Sequence, residues 1–97
     1  MSAIAIGLLI LAHAADYATF LIMVMRHGLS AEANPIVVTL ARDHGFLVLT
    51  LAKVSTVLLV ASLFLVVART RPRLAATLMT IGVVAGSIGA LSNIATI

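Results

Sequence analysis

Three apolar stretches, at about 2–25, 46–68 and 74–95, each run for twenty residues or more and contain at most one charged residue. Nothing else in the chain restricts its fold as strongly. A helix needs roughly 20 mostly apolar residues to cross a bilayer, and within hydrocarbon every backbone N–H and C=O must be satisfied inside a helix or a closed barrel. The apolar runs are continuous where a barrel strand alternates, and 97 residues could barely close the smallest barrel, so helices are expected. Composition points the same way, because 63% hydrophobic against 9% charged residues gives too little polar surface for a soluble domain. The expected fold is an all-α membrane protein, a single domain over 1–97 with three transmembrane helices and no room for a soluble catalytic module.

The links carry the local signals. His27-Gly28 brings a C-cap glycine after the cation Arg26 at the negative end of a helix dipole. In "LSAEANPIVV", residues 29–38, Asn34 followed by Pro35 is a helix start: an N-cap amide, then a proline whose missing N–H costs nothing at the first helical position. The segment it begins, about 35–42, is only two turns long and is expected as a short interfacial or re-entrant helix, ended by Asp43-His44-Gly45. The second link, "ARTRPR", holds Arg69, Arg71 and Arg73 with no acid, against Arg26 and Arg42 beside Glu32 and Asp43 in the first. Positive residues stay in the cytoplasm, so the N-terminus is expected inside and the EANP loop outside. Ala12-His13-Ala14 fits a signal-peptidase pattern. No Lys or Arg precedes it and the apolar run resumes after Asp16, so cleavage is not expected.

Two charges stand inside spans. Asp16 lies roughly 15 Å below the end of the first helix and Lys53 roughly 12 Å below the same surface in the second, at 1.5 Å per residue. Each costs about 2.5 to 3.5 kcal/mol at a helix centre on insertion scales, so an Asp16–Lys53 ion pair, or a shared network with Thr19 and Thr56, is the expected arrangement. His13, Asp16, Phe20, Met23 and His27 follow a 3, 4, 3, 4 rhythm on one stripe of the first helix, and Phe46, Thr50, Lys53, Val57 and Val60 form the matching stripe of the second. Ser55 and Ser62 fall on the opposite side and are read as packing positions. In the third span Gly82, Gly86, Gly89 and Asn93 share a face, with Gly82-x-x-x-Gly86 as a small-xxx-small packing pattern, and Asn93 returns to the level of Glu32 and Asn34. The expected polar cluster is thus Asp16, Thr19, Glu32, Asn34, Lys53, Thr56 and Asn93, gathered in the outer half of the bundle.

Asp16 with Thr19, then Glu32-Ala33-Asn34-Pro35, then Lys53 resembles the D-x-x-T, E-A-N-P and K pattern of a family of small prokaryotic multi-spanning membrane proteins of unknown function. The resemblance covers about 16–53 and implies a shared polar site at Asp16, Thr19, Glu32, Asn34, Pro35 and Lys53, and a prokaryotic inner-membrane location, without implying a chemistry.

Several function classes fall away. The absence of cysteine excludes thiolate metal sites and disulfides, and the arginines sit at helix ends without aromatic interleaving, unlike a nucleic-acid surface. His13, His27, His44, Asp16 and Glu32 are too dispersed for one metal ion, His13 and His27 differing by about 20 Å in depth. No cofactor and no catalytic residue is assigned. An assembly or accessory subunit, working as a homo-oligomer or beside a larger membrane protein, is the leading expectation. The alternative is a small proton- or ion-coupled transporter or channel built on the same polar cluster. A lipid-head-group enzyme, with Glu32 as base and Asn34 as orienting amide, comes last.

Overall fold

The computed structural model describes residues 2–32 and 34–97, the Ser2 side chain excepted. Met1 of the expected domain and Ala33 of the EANP motif lie outside the described residues. Among the described residues there are three α-helices, α1 (Ser2–His27), α2 (Pro35–Ala68) and α3 (Pro72–Thr96), with a 3-10 turn at Leu29–Ala31. All three are long and apolar enough to cross a membrane. Each expected span is matched by a helix of spanning length and apolarity; α1 and α3 run two or three residues past the pattern outlined, and α2 begins eleven residues earlier.

The short helix expected at about 35–42 does not stand alone. The helical segment begins at Pro35, where the Asn34 side chain accepts a hydrogen bond from the Ile36 N–H at 3.0 Å and Pro35 occupies the first turn. It then runs on through Asp43 and His44 and is counted with the second span. The two parts meet at Gly45, whose φ of 84° and ψ of 169° are non-helical. A straight helix of 34 residues would measure about 51 Å, longer than the 44 Å extent of the whole molecule. The bend at Gly45 folds the 35–44 arm back over the end of the bundle. That end, which also carries the close of α1 and α3, is called upper here, and the end with the 69–71 turn lower.

Packing is centred on α3. It lies chiefly against α1 and next against α2, while the α1 and α2 backbones approach each other less closely and meet mainly through side chains. The glycine face explains the close α1–α3 approach. A Cβ at Gly86 would stand 3.0 Å from the backbone carbonyl carbon of Ala12, and one at Gly82 would stand 2.9 Å from Leu9 Cδ1. Two apolar clusters result, a lower one of Leu9, Phe64, Ala75 and Met79 and an upper one of Phe20, Met23, Ala41 and Leu49. Ala41 of the arm belongs to the upper cluster, so the arm is docked by burial of its own apolar side. Most other large apolar side chains of α2 face outward, as lipid requires.

The bend makes a prediction. The backbone of Gly45 lies in a region essentially restricted to glycine, so Gly45→Ala should cost about 1–3 kcal/mol although open space surrounds the position. Gly7→Ala, also in open space but inside α1, should be neutral or stabilising by up to about 1 kcal/mol. Thermal unfolding of both variants in detergent checks the pair.

Candidate functional site

Between the two apolar clusters lies a polar layer, and its centre is Asp16. Lys53 Nζ donates to Asp16 Oδ2 at 2.6 Å. Asn93 Nδ2 from α3 donates to Asp16 Oδ1 at 3.1 Å and to the Asp16 backbone carbonyl at 3.0 Å. Both acceptors lack hydrogens, so the amide must present its nitrogen to them. The same Nδ2 lies 3.1 Å from Thr19 Oγ1, and that hydroxyl in turn donates to the Ala15 carbonyl at 2.7 Å. One carboxylate thus ties α1 to both other helices.

The ion pair expected from matched depth is present, but it is not fully buried. The Lys53 and Asp16 side chains keep 26% and 23% of their exposure, because both line an open cleft. Asn93, at 5%, is the buried member. Gly89 makes the arrangement possible: a Cβ there would overlap Asp16 Oδ1 and stand 2.7 Å from Asp16 Cγ. Its face on α3 thus serves the carboxylate as well as helix packing.

Of the other expected members, Glu32 and Asn34 come to the same place. Together with Asp16, Lys53, Ser92 and Asn93 they line an open cleft of about 450 Å³ whose remaining wall includes Tyr17, Phe20, Leu49 and Ile88. Glu32 Oε1 accepts the Asn34 N–H at 3.1 Å, an Asx-like local bond that holds the carboxylate at the arm's base. Thr56 does not join. Its hydroxyl donates back to the Ala52 carbonyl at 2.9 Å, the usual solution for a threonine on an outward helix face.

Sequence reasoning missed Tyr17. Its hydroxyl is hydrogen-bonded to Thr50 Oγ1, whose own hydrogen goes to the Phe46 carbonyl at 2.8 Å, and its ring stacks on Phe20 with centroids 6.1 Å apart. The available signal was its position four residues after His13 and beside Asp16, which turns it toward α2. His13 is itself a helix tie: its Nε2 lies 2.9 Å from the Gly82 carbonyl, which can only accept, so Nε2 carries the hydrogen. Its Nδ1 is buried without a partner among the described residues. His27 Nε2 similarly donates to the Ile97 carbonyl at 2.9 Å. Among the described residues no three His, Asp or Glu side chains converge as a metal site would require.

The network predicts a coupled pair of substitutions. Asp16→Asn and Lys53→Met each strand a charge beside a changed partner, whereas the double variant removes both charges. A double-mutant cycle on unfolding in detergent should return a coupling of about 1–3 kcal/mol between positions 16 and 53. Simple additivity would show that the two side chains act separately.

No curated protein and no solved structure matches the chain. The family model described as Domain of unknown function (DUF5658) matches residues 7–97, and the chain belongs to that family.

Proposed function

We propose that the protein is a small assembly or accessory subunit of a membrane complex, built to present a fixed three-helix unit to other transmembrane helices. The observation that carries this reading is the state of Asp16. Its two carboxylate oxygens are engaged from α2 and α3 together, which makes the residue a structural tie and leaves it poorly placed as a mobile proton carrier. Three helices enclose no lumen, so activity of any transporting kind requires further helices. An apolar groove of about 620 Å³ floored by the small residues Ala5, Ala68, Ala75 and Ala76 suits the close approach of another helix. The partner is a larger membrane protein or further copies of the chain.

A small proton- or ion-coupled transporter or channel is the second reading, favoured by the cleft that places Glu32 and Lys53 on one wall system. A lipid-head-group enzyme is less well supported, since Asn34 commits its side-chain oxygen to capping α2. The inner membrane of a prokaryotic cell is the proposed location, with the N-terminus cytoplasmic and the 29–34 segment outside.

Two measurements test this. The protein reconstituted alone in liposomes should give no ion or proton flux, and purification under mild conditions should return it in a defined stoichiometric assembly. A flux abolished by Asp16→Asn in particles that keep their oligomeric size would instead establish the second reading. For orientation, the absence of native cysteine allows single-cysteine labelling. Ser30→Cys should react with an impermeant maleimide in intact cells and Thr70→Cys only after permeabilisation; the reverse pattern inverts the topology.

A further inference from the structure

The cleft beside the Asp16 tie carries an unbalanced charge. Its charged lining residues are Asp16, Glu32 and Lys53, which sum to −1. The lysine is opposed by Asp16 at 2.6 Å, and that contact is the one salt bridge among the described residues, so Glu32 meets no cation. Oε1 of Glu32 accepts a backbone N–H, and Oε2 has no partner among the described residues.

The rest of the lining is of a different character. Tyr17 borders the same space with the buried Phe20 stacked behind it, as do the buried Leu49, Ala85 and the largely exposed Ile88. Aromatic faces attract ammonium groups, quaternary ones included, and apolar walls with a few placed polar groups are the usual make-up of a small-molecule site. A bare inorganic ion is a poor match to this volume of about 450 Å³, since a single water occupies about 30 Å³. An anion would meet the Glu32 carboxylate with no free cation to offset it.

We propose that the cleft between the 29–34 segment, Asp16 and the upper part of α3 binds an organic monocation, an amine or quaternary ammonium carried on an apolar body. The cationic head is held by the Glu32 carboxylate and the Tyr17 ring, and the apolar body lies against Ala85 and Ile88. The inference rests on the cleft alone and holds whether or not the protein carries flux, since occupancy of the site requires no translocation.

The test is isothermal titration of the full chain in a non-ionic maltoside detergent, chosen because it supplies no competing cation. The probe is benzyltrimethylammonium, compared with neopentylbenzene, its uncharged carbon isostere. Saturable one-to-one binding of the cation is expected, with only micellar partitioning of the isostere. Glu32→Gln keeps the acceptor for the Asn34 N–H and removes the charge, and should weaken cation binding by about tenfold. Equal uptake of probe and isostere, or unchanged cation affinity in Glu32→Gln, would overturn the proposal. Ile88→Trp, which leaves every charge in place and fills the cleft from its exposed side, guards against a folding defect at Glu32. It should abolish binding, and retention of wild-type affinity would also count against the site.

Discussion

A carboxylate set midway along an apolar helix must find its partners elsewhere in the chain, and the upper half of this bundle follows from how Asp16 is met. One oxygen is taken by a lysine from α2 and the other by an amide from α3. An ionised group in hydrocarbon is tolerable only when paired and hydrogen-bonded. Satisfying Asp16 therefore fixes the rotation of α1, the reach of Lys53 and the height of Asn93 at once. Such a pair is a weak source of net stability compared with apolar side chains of similar volume; what it contributes is one arrangement of three helices instead of several.

The glycines of α3 are the counterpart of that carboxylate. Gly86 lets the α3 backbone reach the α1 backbone at Ala12, and Gly89 leaves the room that the Asp16 carboxylate fills. In a membrane, where lipid is as apolar as leucine, close backbone contact of this kind replaces the hydrophobic effect as the source of helix association. The result places α3 at the centre of packing, while α1 and α2 meet through side chains: the Lys53 bridge, Tyr17 on Thr50 and Phe20 on Leu49 above it, and Leu9 on Phe64 below. The cleft is a consequence of that looser backbone approach. A bundle whose α1 and α2 backbones packed as closely as those of α1 and α3 would leave less space beside the ion pair, and Glu32 would have no cleft to line.

The arm at 35–44 completes the upper end. Its proline start and asparagine cap fix where it begins, the glycine at 45 lets it bend, and Ala41 anchors it on Phe20 and Met23. The arm is held by apolar burial, and Glu32 and Asn34 at its base line the cleft while each accepts a backbone N–H. Membership of a family defined by sequence alone gives these features no chemistry of their own, and the functional reading rests on the charges and volumes of the site itself.

Much of this was legible in the residues. Continuous apolar runs are sufficient to specify spanning helices, because hydrocarbon permits little else, and the 3, 4, 3, 4 spacing marked an inward stripe from His13 to Met23, with His27 at its end exposed. Matched depth identified the Asp16–Lys53 contact, since two opposite charges at one level cost less together than apart. Asn93 and the glycine face were also placed on the right side of α3 by periodicity. What periodicity does not contain is the distance between helices. It could not show that the α1 and α2 backbones would approach each other less closely than either approaches α3, that the ion pair would remain about one quarter exposed, that Thr56 would turn outward to its own helix while Tyr17 bonded Thr50, or that the arm would fold over a cleft. Helical spacing determines the direction of a side chain about its own axis; which axis stands opposite, and how near, is decided only when Gly86 and Gly89 allow two backbones to meet.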